Sequence, residues 1–461
     1  MHADEAIYAH KLGTLLETGA WTYEPGEHHG PILHYVTAAT SKLAGARNYL
    51  DLTETTLRII PVLFGLVLVL IPLLLSSGVG RAQALAASAM TAISPAMVYY
   101  SRYYIPEVLL TCLTAGLIVV GYHYARTPNF SWAIGFGLLF GLAFATKETA
   151  LIVAGSMLLA ALALARKRRP DWRHLAVAGI TATIVVVALL GPRELVQSIG
   201  IYVNRAMQGE RHFHPWHYYL RLLFWSEGAI VVLAAMGAVA SIQDGGLRFP
   251  RFLALYTVAM TAIYSLIPYK TPWCLLGFLQ GMILLAGMGL VFVAGKSKLA
   301  AIALLAVGGL QVLQVLRQDS SDSRNLYAYV HTTRDVFTIR DRLEKLASTH
   351  EQGRNLPIQV ISPQNVWPLP WYLRSFPAVE WRRGVTDDMR PAPVILASPD
   401  MEPALIHHLY EVLPPGQRPL YVNLFADYTE LRPGVELRGY VQQSLWGSIN
   451  ASRGILRPRN P

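Results

Sequence analysis

Residues Val62–Leu75 read VLFGLVLVLIPLLL, a stretch without a single charged side chain. An α-helix needs about 20 mostly apolar residues to cross the hydrocarbon core of a membrane. Working outward from this stretch, we predict ten membrane-spanning helices, at residues 57–77, 82–100, 107–125, 131–147, 149–165, 174–191, 226–242, 252–268, 274–294 and 298–316. The predicted fold class is an all-α polytopic membrane bundle with a small C-terminal α/β domain.

The overall composition agrees with a membrane protein. Of the 461 residues, 53% are apolar and 15% are charged, whereas a soluble globular chain has about 25% charged residues. The mean hydropathy is +0.35. These values exclude a purely soluble enzyme, a disordered chain and a fibrous repeat. The two cysteines, Cys112 and Cys274, both lie in apolar stretches, so we expect neither a disulfide framework nor a cysteine-based zinc site. The net charge of +10 does not imply nucleic acid, because cytoplasmic loops of membrane proteins collect Lys and Arg.

The basic residues of the loops predict an orientation. The densest basic run is RKRR at residues 166–169, and basic loops face the cytoplasm. Alternation then places residues 1–56, 192–225 and 317–461 outside the cytoplasm. We therefore predict three parts. Residues 1–56 form an extracytoplasmic first loop with amphipathic helices, residues 57–316 form the transmembrane bundle, and residues 317–461 form an extracytoplasmic α/β domain.

The last part of the chain alternates helix and strand patterns. Helical spacing covers Asp335–Ser348 and Pro403–Val412, whereas Ile358–Ser362 and Val394–Ser398 are short runs rich in β-forming residues. This alternation is typical of a small α/β domain.

Polar residues collect at the non-cytoplasmic ends of the predicted helices. A transporter more often places such groups near the midplane of the membrane, on broken helices. Their clustering on one face instead indicates a site that opens to the outer leaflet. The residues are Asp4, Glu5, His28, His29, Arg102, Glu107, Lys147, Glu148, His212, His214, His217, Glu227 and Lys270.

The acidic residues of this set leave alternatives open. Asp4-Glu5 is either a pair of solvated acids or contains a general base that deprotonates an incoming hydroxyl. Glu107 either caps a helix, with Arg102 as a local ion-pair partner, or belongs to a site. The pair Lys147-Glu148 is either a plain turn between two helices or contains a phosphate contact.

The histidines and Lys270 also have two interpretations. His28 and His29 precede a short amphipathic helix and are either surface residues or ligands for a metal or phosphate. The motif HFHPWH at residues 212–217 contains three histidines among aromatic rings, and it fits a divalent cation or stacking on a sugar. Aromatic belts at the membrane interface explain the rings without explaining the histidines, so a functional role is favoured there. Lys270 is either a snorkelling interfacial residue or an anion contact.

The ordered set of motifs resembles a known superfamily. Asp4-Glu5 is followed by HGPILHY, YYSRYYIPE, LAFATKETALI, HFHPWHYYL and YKTPW. Together they resemble the C superfamily of membrane glycosyltransferases, which includes protein O-mannosyltransferases and the aminoarabinose transferases of lipid A. Within it, the sequence most resembles the prokaryotic subgroup named flippase activity-associated proteins. The likeness runs from the first residues to about Trp371–Arg374.

The resemblance implies an enzyme of the hexosyltransferase class in the plasma (inner) membrane, active on the extracytoplasmic face in protein glycosylation or cell-envelope assembly. It would move a sugar from a polyprenyl-phosphate donor to an acceptor outside the cytoplasm, with inversion. The expected partners are this donor, an unidentified acceptor and membrane lipid, without nucleic acid. The family pattern implies catalytic Asp4, Glu5 and Glu107, with Asp4 as the base. It implies a donor-phosphate site with Arg102, Lys147 and Lys270, and His28, His29, His212 and His214 as ligands of a divalent metal cation of unspecified identity.

Two other functions remain open from the sequence. One is a non-catalytic accessory of lipid-linked sugar flipping, which the subgroup's name suggests, and the other is a transporter. The superfamily also carries a transmembrane helix ahead of its first Asp-Glu, whereas only three residues precede Asp4 here. We therefore expect the true start to lie upstream of Met1, or the chain to be truncated.

Overall fold

The computed structural model describes residues 1–24, 29–164, 171–207, 212–243, 248–318, 322 and 325–447. It divides into two compact units. The transmembrane unit comprises Thr14–Arg47 and Leu52–Tyr329, and the α/β unit comprises Met1–Gly13, Asn48–Asp51 and Val330–Pro461. The first helix therefore supplies its opening turns to the α/β unit and its end to the transmembrane unit.

Helices account for nearly all the regular structure before residue 318. Short 3-10 turns occur at Tyr49–Asp51, Ile71–Leu75 and Pro272–Leu275. The α-helices are Ala3–Thr18, Ile32–Leu43, Glu54–Leu70, Ser76–Val79, Arg81–Ile93, Pro95–Tyr100, Glu107–Arg126, Phe130–Thr146, Ala150–Ala163, Trp172–Leu190, Pro192–Met207, Tyr218–Ser226, Gly228–Gln243, Arg248–Leu266, Leu276–Lys296 and Lys298–Arg317.

Fewer of these helices than predicted are long and apolar enough to cross a membrane. Within the described residues there are six, or seven if the pair Tyr218–Ser226 and Gly228–Gln243, bent by 106°, is one span. Phe130–Thr146 and Ala150–Ala163 are apolar but shorter. The six are Glu54–Val79, Glu107–Arg126, Trp172–Leu190, Arg248–Leu266, Pro272–Lys296 and Lys298–Arg317. A multi-pass membrane protein is therefore supported, although helices lie at all ten predicted positions and the count of ten is not confirmed.

The predicted span 82–100 is interrupted for a local reason. Helix Arg81–Ile93 ends before Ser94, whose backbone is extended at ψ 122°, and a new helix begins at Pro95. A residue that precedes proline avoids the helical conformation. The Ser94 hydroxyl then accepts a hydrogen bond from the Met97 amide and so caps the new helix. The sequence prediction treated the two helices as one.

The interior of the transmembrane unit is held by close helix packing. At the crossing of Gly228–Gln243 with Leu276–Lys296, a Cβ atom on Gly289 would lie 1.9 Å from the carbonyl oxygen of Leu233. A Cβ on Gly237 would lie 2.0 Å from that of Leu285. Small residues let two membrane helices bring their backbones together in this way.

The exterior of the transmembrane unit is apolar. Large side chains more than half exposed include Leu66, Leu158, Ile184 and Leu299. Water-soluble monomers rarely expose so many contiguous apolar groups, so these surfaces fit the hydrocarbon of a bilayer.

The α/β unit is built on a five-stranded sheet. The strands are β1 (Ile358–Ile361), β2 (Val379–Arg382), β3 (Val394–Ala397), β4 (Tyr421–Asn423), β5 (Glu430–Arg432), β6 (Val435–Glu436) and β7 (Arg438–Gln442). The sheet order is β2-β1-β3-β7-β4, and β5 and β6 form a separate pair. Strand β1 runs parallel to β2 and β3, whereas β7 is antiparallel to β3 and β4. Buried β1 and β3 form the centre of the sheet.

Helices and turns complete the α/β unit. The four elements predicted from the sequence are confirmed, since a helix occupies Asp335–Ala347, β1 and β3 fill the two predicted strands, and a helix begins at Glu402. The helix that begins at Glu402 ends at His407 and continues as a π-helix at His408–Val412. The remaining elements are the helix Leu369–Tyr372 and the 3-10 turns Gly353–Asn355 and Pro399–Met401.

Candidate functional site

The predicted acids Asp4 and Glu5 lie in the first turn of helix Ala3–Thr18. The two carboxylates have different surroundings. Glu5 is buried, and its Oε2 accepts a hydrogen bond from the backbone amide of His2 at 2.9 Å. A glutamate at the third helical position that reaches back in this way caps the helix. Asp4 is 43% exposed, with one carboxylate oxygen 4.0 Å from Nδ1 of His2. Its carboxylate is therefore partly exposed.

Glu107 and Lys147 form a buried ion pair in the transmembrane unit. Lys147 Nζ donates to Glu107 Oε1 at 2.5 Å, and each side chain is 6% exposed. Glu107 begins the long helix Glu107–Arg126, and Lys147 follows the end of Phe130–Thr146. The local pair of Glu107 with Arg102 considered from the sequence is replaced by this longer-range pair, and Arg102 is exposed.

A small cavity adjoins this ion pair. It has room for about one water molecule, and its walls include Glu107, Lys147, Thr149 and Cys274. One buried oxygen atom, Oε2 of Glu107, has no hydrogen-bond partner within the described part of the chain. The Cys274 sulfur lies 4.0 Å from Lys147 Nζ and 3.2 Å from the Thr271 hydroxyl. The sequence motifs did not indicate Thr149 or Cys274 as residues of this cavity.

His29 is paired with Glu148 rather than placed on the surface. His29 Nδ1 lies 2.9 Å from Glu148 Oε2. The next residue, Gly30, donates its backbone amide to the carbonyl of Thr146, and a Cβ there would lie 1.8 Å from the carbonyl oxygen of Ala145. His29 and Gly30 thus connect the segment before helix Ile32–Leu43 to the turn at Lys147-Glu148. Burial acts to raise the pKa of Glu148, but the neighbouring His29 outweighs it, so that pKa lies below its usual value.

The motif HFHPWH forms a two-loop structure with the residues around Lys270. Phe213 and Tyr269 form an antiparallel bridge, and the amide of Lys270 donates to the His212 carbonyl. The Lys270 ammonium, which is 1% exposed, donates to the carbonyls of His214 and Ile267 at 3.0 and 2.5 Å. Burial lowers the pKa of Lys270. This lysine is therefore neither at the surface nor snorkelling.

The histidines of this motif contact a tyrosine beyond the last predicted span. The Tyr329 hydroxyl lies 2.6 Å from His212 Nδ1 and 3.4 Å from His214 Nε2. His214 also stacks on Tyr218, with ring centroids 4.2 Å apart. His217 is exposed at the start of helix Tyr218–Ser226. Sequence reasoning missed Tyr329, whose only signal is its place in an aromatic run after residue 325.

Glu227 links several elements of the transmembrane unit through hydrogen bonds. It lies at the 106° bend between two helices, and its Oε1 accepts from the Ser94 hydroxyl, the Ala96 amide and the Tyr327 hydroxyl at 3.0, 2.7 and 3.1 Å. One carboxylate oxygen therefore joins the Ser94 helix break, the bend and the segment that carries Tyr327 and Tyr329.

The predicted metal ligands do not assemble into a site in the part of the chain that the structure describes. No three His, Cys, Asp or Glu side chains there are placed to hold a metal. His29 is engaged by Glu148, and His212 and His214 by Tyr329. His28 lies outside the described residues. The metal site is therefore not confirmed and stays a prediction.

The structure brings some of the predicted residues together. In the transmembrane unit it joins Glu107 to Lys147, His29 to Glu148, and Lys270 to the HFHPWH loop. Asp4 and Glu5 belong to the α/β unit.

Several solved structures share the fold of this chain. The crystal structure of ArnT from Cupriavidus metallidurans bound to undecaprenyl phosphate superposes with a TM-score of 0.67, at 15% identity, over 96% of this chain and 94% of that one. At this level of identity the match shows a shared fold. The resemblance read from the sequence motifs is thereby confirmed at the level of fold.

Two archaeal structures and one family agree with this result. The Archaeoglobus fulgidus oligosaccharyltransferase in complex with Zn and sulfate matches with a TM-score of 0.56, at 12% identity, over 96% of this chain and 69% of that one. The AglB oligosaccharyltransferase from the same organism, in complex with an inhibitory peptide and a dolichol-phosphate, gives 0.56 at 13% identity over 96% and 70%. The family described as dolichyl-phosphate-mannose-protein mannosyltransferase matches residues 28–190. No curated protein sequence matches the chain.

Proposed function

We propose that this protein is an integral-membrane glycosyltransferase of the hexosyltransferase class. It transfers a sugar from a polyprenyl-phosphate donor to an acceptor outside the cytoplasm of the plasma (inner) membrane, with inversion at the anomeric carbon. The observation that carries the proposal is the shared fold over 96% of the chain with ArnT, a structure bound to undecaprenyl phosphate. Lys147 and Lys270, two of the residues predicted to contact the donor phosphate, are buried cations and support it.

The proposed reaction needs a base for the acceptor. Asp4 suits this role because its carboxylate is partly exposed, whereas the Glu5 carboxylate is committed to the start of the helix. A carboxylate within hydrogen-bond reach of the acceptor hydroxyl takes its proton as the oxygen attacks the anomeric carbon. In this scheme Glu5 keeps the first turn, and with it Asp4, in place.

The leaving phosphate needs positive charge. As the bond from the anomeric carbon to the phosphate oxygen breaks, negative charge grows on that oxygen, and fixed cations stabilise it. Lys147 is held ready by Glu107. Lys270 gives two of its three N–H groups to carbonyls within the described chain, which leaves one N–H for an anion. Exposed Arg102 is the third proposed contact. A polyprenyl phosphate leaves as an anion, so no acid is required to protonate it.

In this proposal the remaining predicted residues hold the phosphate-binding lysines in place. Glu107 orients Lys147, and the pairing of His29 with Glu148 holds the turn in which Lys147 lies. His212 and His214 support the loop that contacts Lys270. The described residues do not converge on a metal, so no step of the proposed mechanism passes through one.

The test is donor cleavage in a defined membrane. The purified chain is reconstituted in proteoliposomes with a panel of labelled undecaprenyl-phosphate sugars and an extract of cell-envelope acceptors, and released undecaprenyl phosphate is measured. We expect release with at least one donor and loss of release in Lys147→Met. If no donor is cleaved while labelled lipid still crosses the bilayer faster than in empty liposomes, the protein is instead an accessory of lipid-linked sugar flipping.

A further inference from the structure

A segment of the α/β unit joins the start of the first helix to strand β5. The Thr332 hydroxyl donates to the carbonyl of Met1 at 2.6 Å, and the ring of His331 packs on that of His2 with centroids 5.1 Å apart. The adjacent Thr333 donates its amide to the carbonyl of Leu431 at 3.0 Å. The turn that carries Asp4 and the strand that ends in Arg432 are thus held by consecutive residues of one segment.

The side chain of Arg432 makes a contact of its own within the α/β unit. One of its terminal nitrogens donates to the carbonyl of Asn365. Two residues later in the chain, Trp367 packs on His10 of the first helix, with ring centroids 5.7 Å apart. The α/β unit therefore holds the first helix and Arg432 as parts of the same packed structure.

The guanidinium of Arg432 has a hydrogen-bond donor that is not used within the described part of the chain. Arg432 is half-buried, and its Nε is buried with no hydrogen-bond partner in the described part of the chain. A buried donor without a partner costs stability. Burial lowers the pKa of Arg432, and the negative charge of Asp4 opposes this effect. The charges of Asp4 and Arg432 therefore interact. The Nδ1 atom of His2 accepts a hydrogen bond from the Asp4 amide at 3.1 Å, which also fixes the start of the helix.

We propose that Arg432 is a positioning residue of the transfer reaction, whose guanidinium balances the charge of the Asp4 carboxylate and keeps it oriented for the acceptor hydroxyl. This inference rests on the proposed function, because it assumes that Asp4 is the base. It gives the α/β unit a part in the chemistry. Arg432 acts through Asp4, so its effect falls on turnover and not on binding of the donor.

The test compares Arg432→Met and Arg432→Lys with wild type, using the undecaprenyl-phosphate sugar of the panel that is cleaved fastest. The matched control is Arg383→Met, which removes an exposed arginine from the same unit. We expect Arg432→Met to lower kcat roughly ten- to hundredfold, the scale of a misplaced catalytic group, while KM for the donor stays within about twofold. Arg432→Lys should recover most of kcat because it keeps the charge, and Arg383→Met should behave as wild type.

Three outcomes overturn the inference. Wild-type kcat in Arg432→Met would remove any role for the residue. A loss of kcat that Lys does not recover, together with a lower melting temperature in both variants, would mean that Arg432 only supports the fold. A rise in KM without a fall in kcat would make it a donor contact. Failure of the proposed function is seen separately, as absence of cleavage by wild type or full activity of Asp4→Asn.

Discussion

Lys147 Nζ lies 2.5 Å from Glu107 Oε1, and neither side chain is more than 6% exposed. Two residues 40 positions apart in the chain are thus joined inside the transmembrane unit. Both residues line a small cavity. Removing one partner of a buried ion pair leaves the other charge uncompensated, which costs more than the pair itself contributes. The pair therefore has to be tested by both single and double replacement.

Glu107→Gln should destabilise the protein by about 3 kcal/mol, because Lys147 would be left as a buried charge without its counter-ion. The double variant Glu107→Gln with Lys147→Met should recover much of the melting temperature and still release no polyprenyl phosphate. Thermal unfolding in detergent and donor cleavage measure the two effects. A double variant that recovers cleavage would show that Lys147 is not needed for the leaving phosphate.

Gly289→Leu should disrupt the helix crossing, since the new Cβ would lie 1.9 Å from the carbonyl oxygen of Leu233. We expect a loss of about 3 kcal/mol or more, at the upper end of overpacking effects. Gly295→Leu is the matched control on the same helix, because nothing lies within 4 Å of its added Cβ. The yield of monodisperse protein and its melting temperature provide the comparison. Equal behaviour of the two variants would contradict the packing that we describe.

The pair of His29 with Glu148 predicts a pH dependence of stability. Burial acts to raise the pKa of Glu148, but His29 outweighs burial and the folded-state pKa is lowered. A carboxylate with a lowered pKa contributes stability above its unfolded pKa of about 4.3, and this contribution is lost as the pH falls through the folded-state value. The melting temperature of wild type should exceed that of Glu148→Gln at about pH 6 and approach it near about pH 3. A gap that widens on acidification would reverse the sign.

Lys270→Met should loosen the two loops that its ammonium joins. The amides of His214 and Lys270 form the hydrogen bonds between these loops, so their exchange with deuterium should become roughly tenfold faster or more. Lys298→Met is the control, because Lys298 is exposed at the start of another helix. Unchanged exchange in the Lys270 variant would mean that the backbone bridge at Phe213 and Tyr269 is sufficient without the ammonium.

Local patterns were enough to predict much of the fold. The uncharged run Val62–Leu75 and its counterparts located the helices of the transmembrane unit, and alternating residue types located β1, β3 and helix Asp335–Ala347. These elements follow from hydrophobic period and residue propensity, which act over neighbouring residues. The break at Ser94 was missed, although Pro95 was a visible signal for it. The 106° bend at Glu227 depends on contacts with residues far away in the sequence.

The sequence predicted several residues of the candidate site but not the contacts between them. The sequence pointed to Glu107, Lys147 and Lys270, but it did not show that Glu107 pairs with Lys147 or that Lys270 holds two loops. Such contacts join residues from separate helices, and the packing of those helices determines them. Arg432 and Tyr329 were missed because a lone arginine in a strand and a tyrosine in an aromatic run have no distinctive pattern. Their partners, 67 or more residues away, give them a role.

The most direct test of the central claim is a comparison of Asp4→Asn with wild type in proteoliposomes. Asn keeps the size of the side chain and removes the charge, and Asp387→Asn, an exposed change in the same unit, serves as the control. With the donor that wild type cleaves fastest, we expect Asp4→Asn to lower release of undecaprenyl phosphate by about 100-fold or more, which is the range for loss of a general base. The melting temperature should not change. Release at the wild-type rate in Asp4→Asn would contradict the assignment of Asp4 as the base.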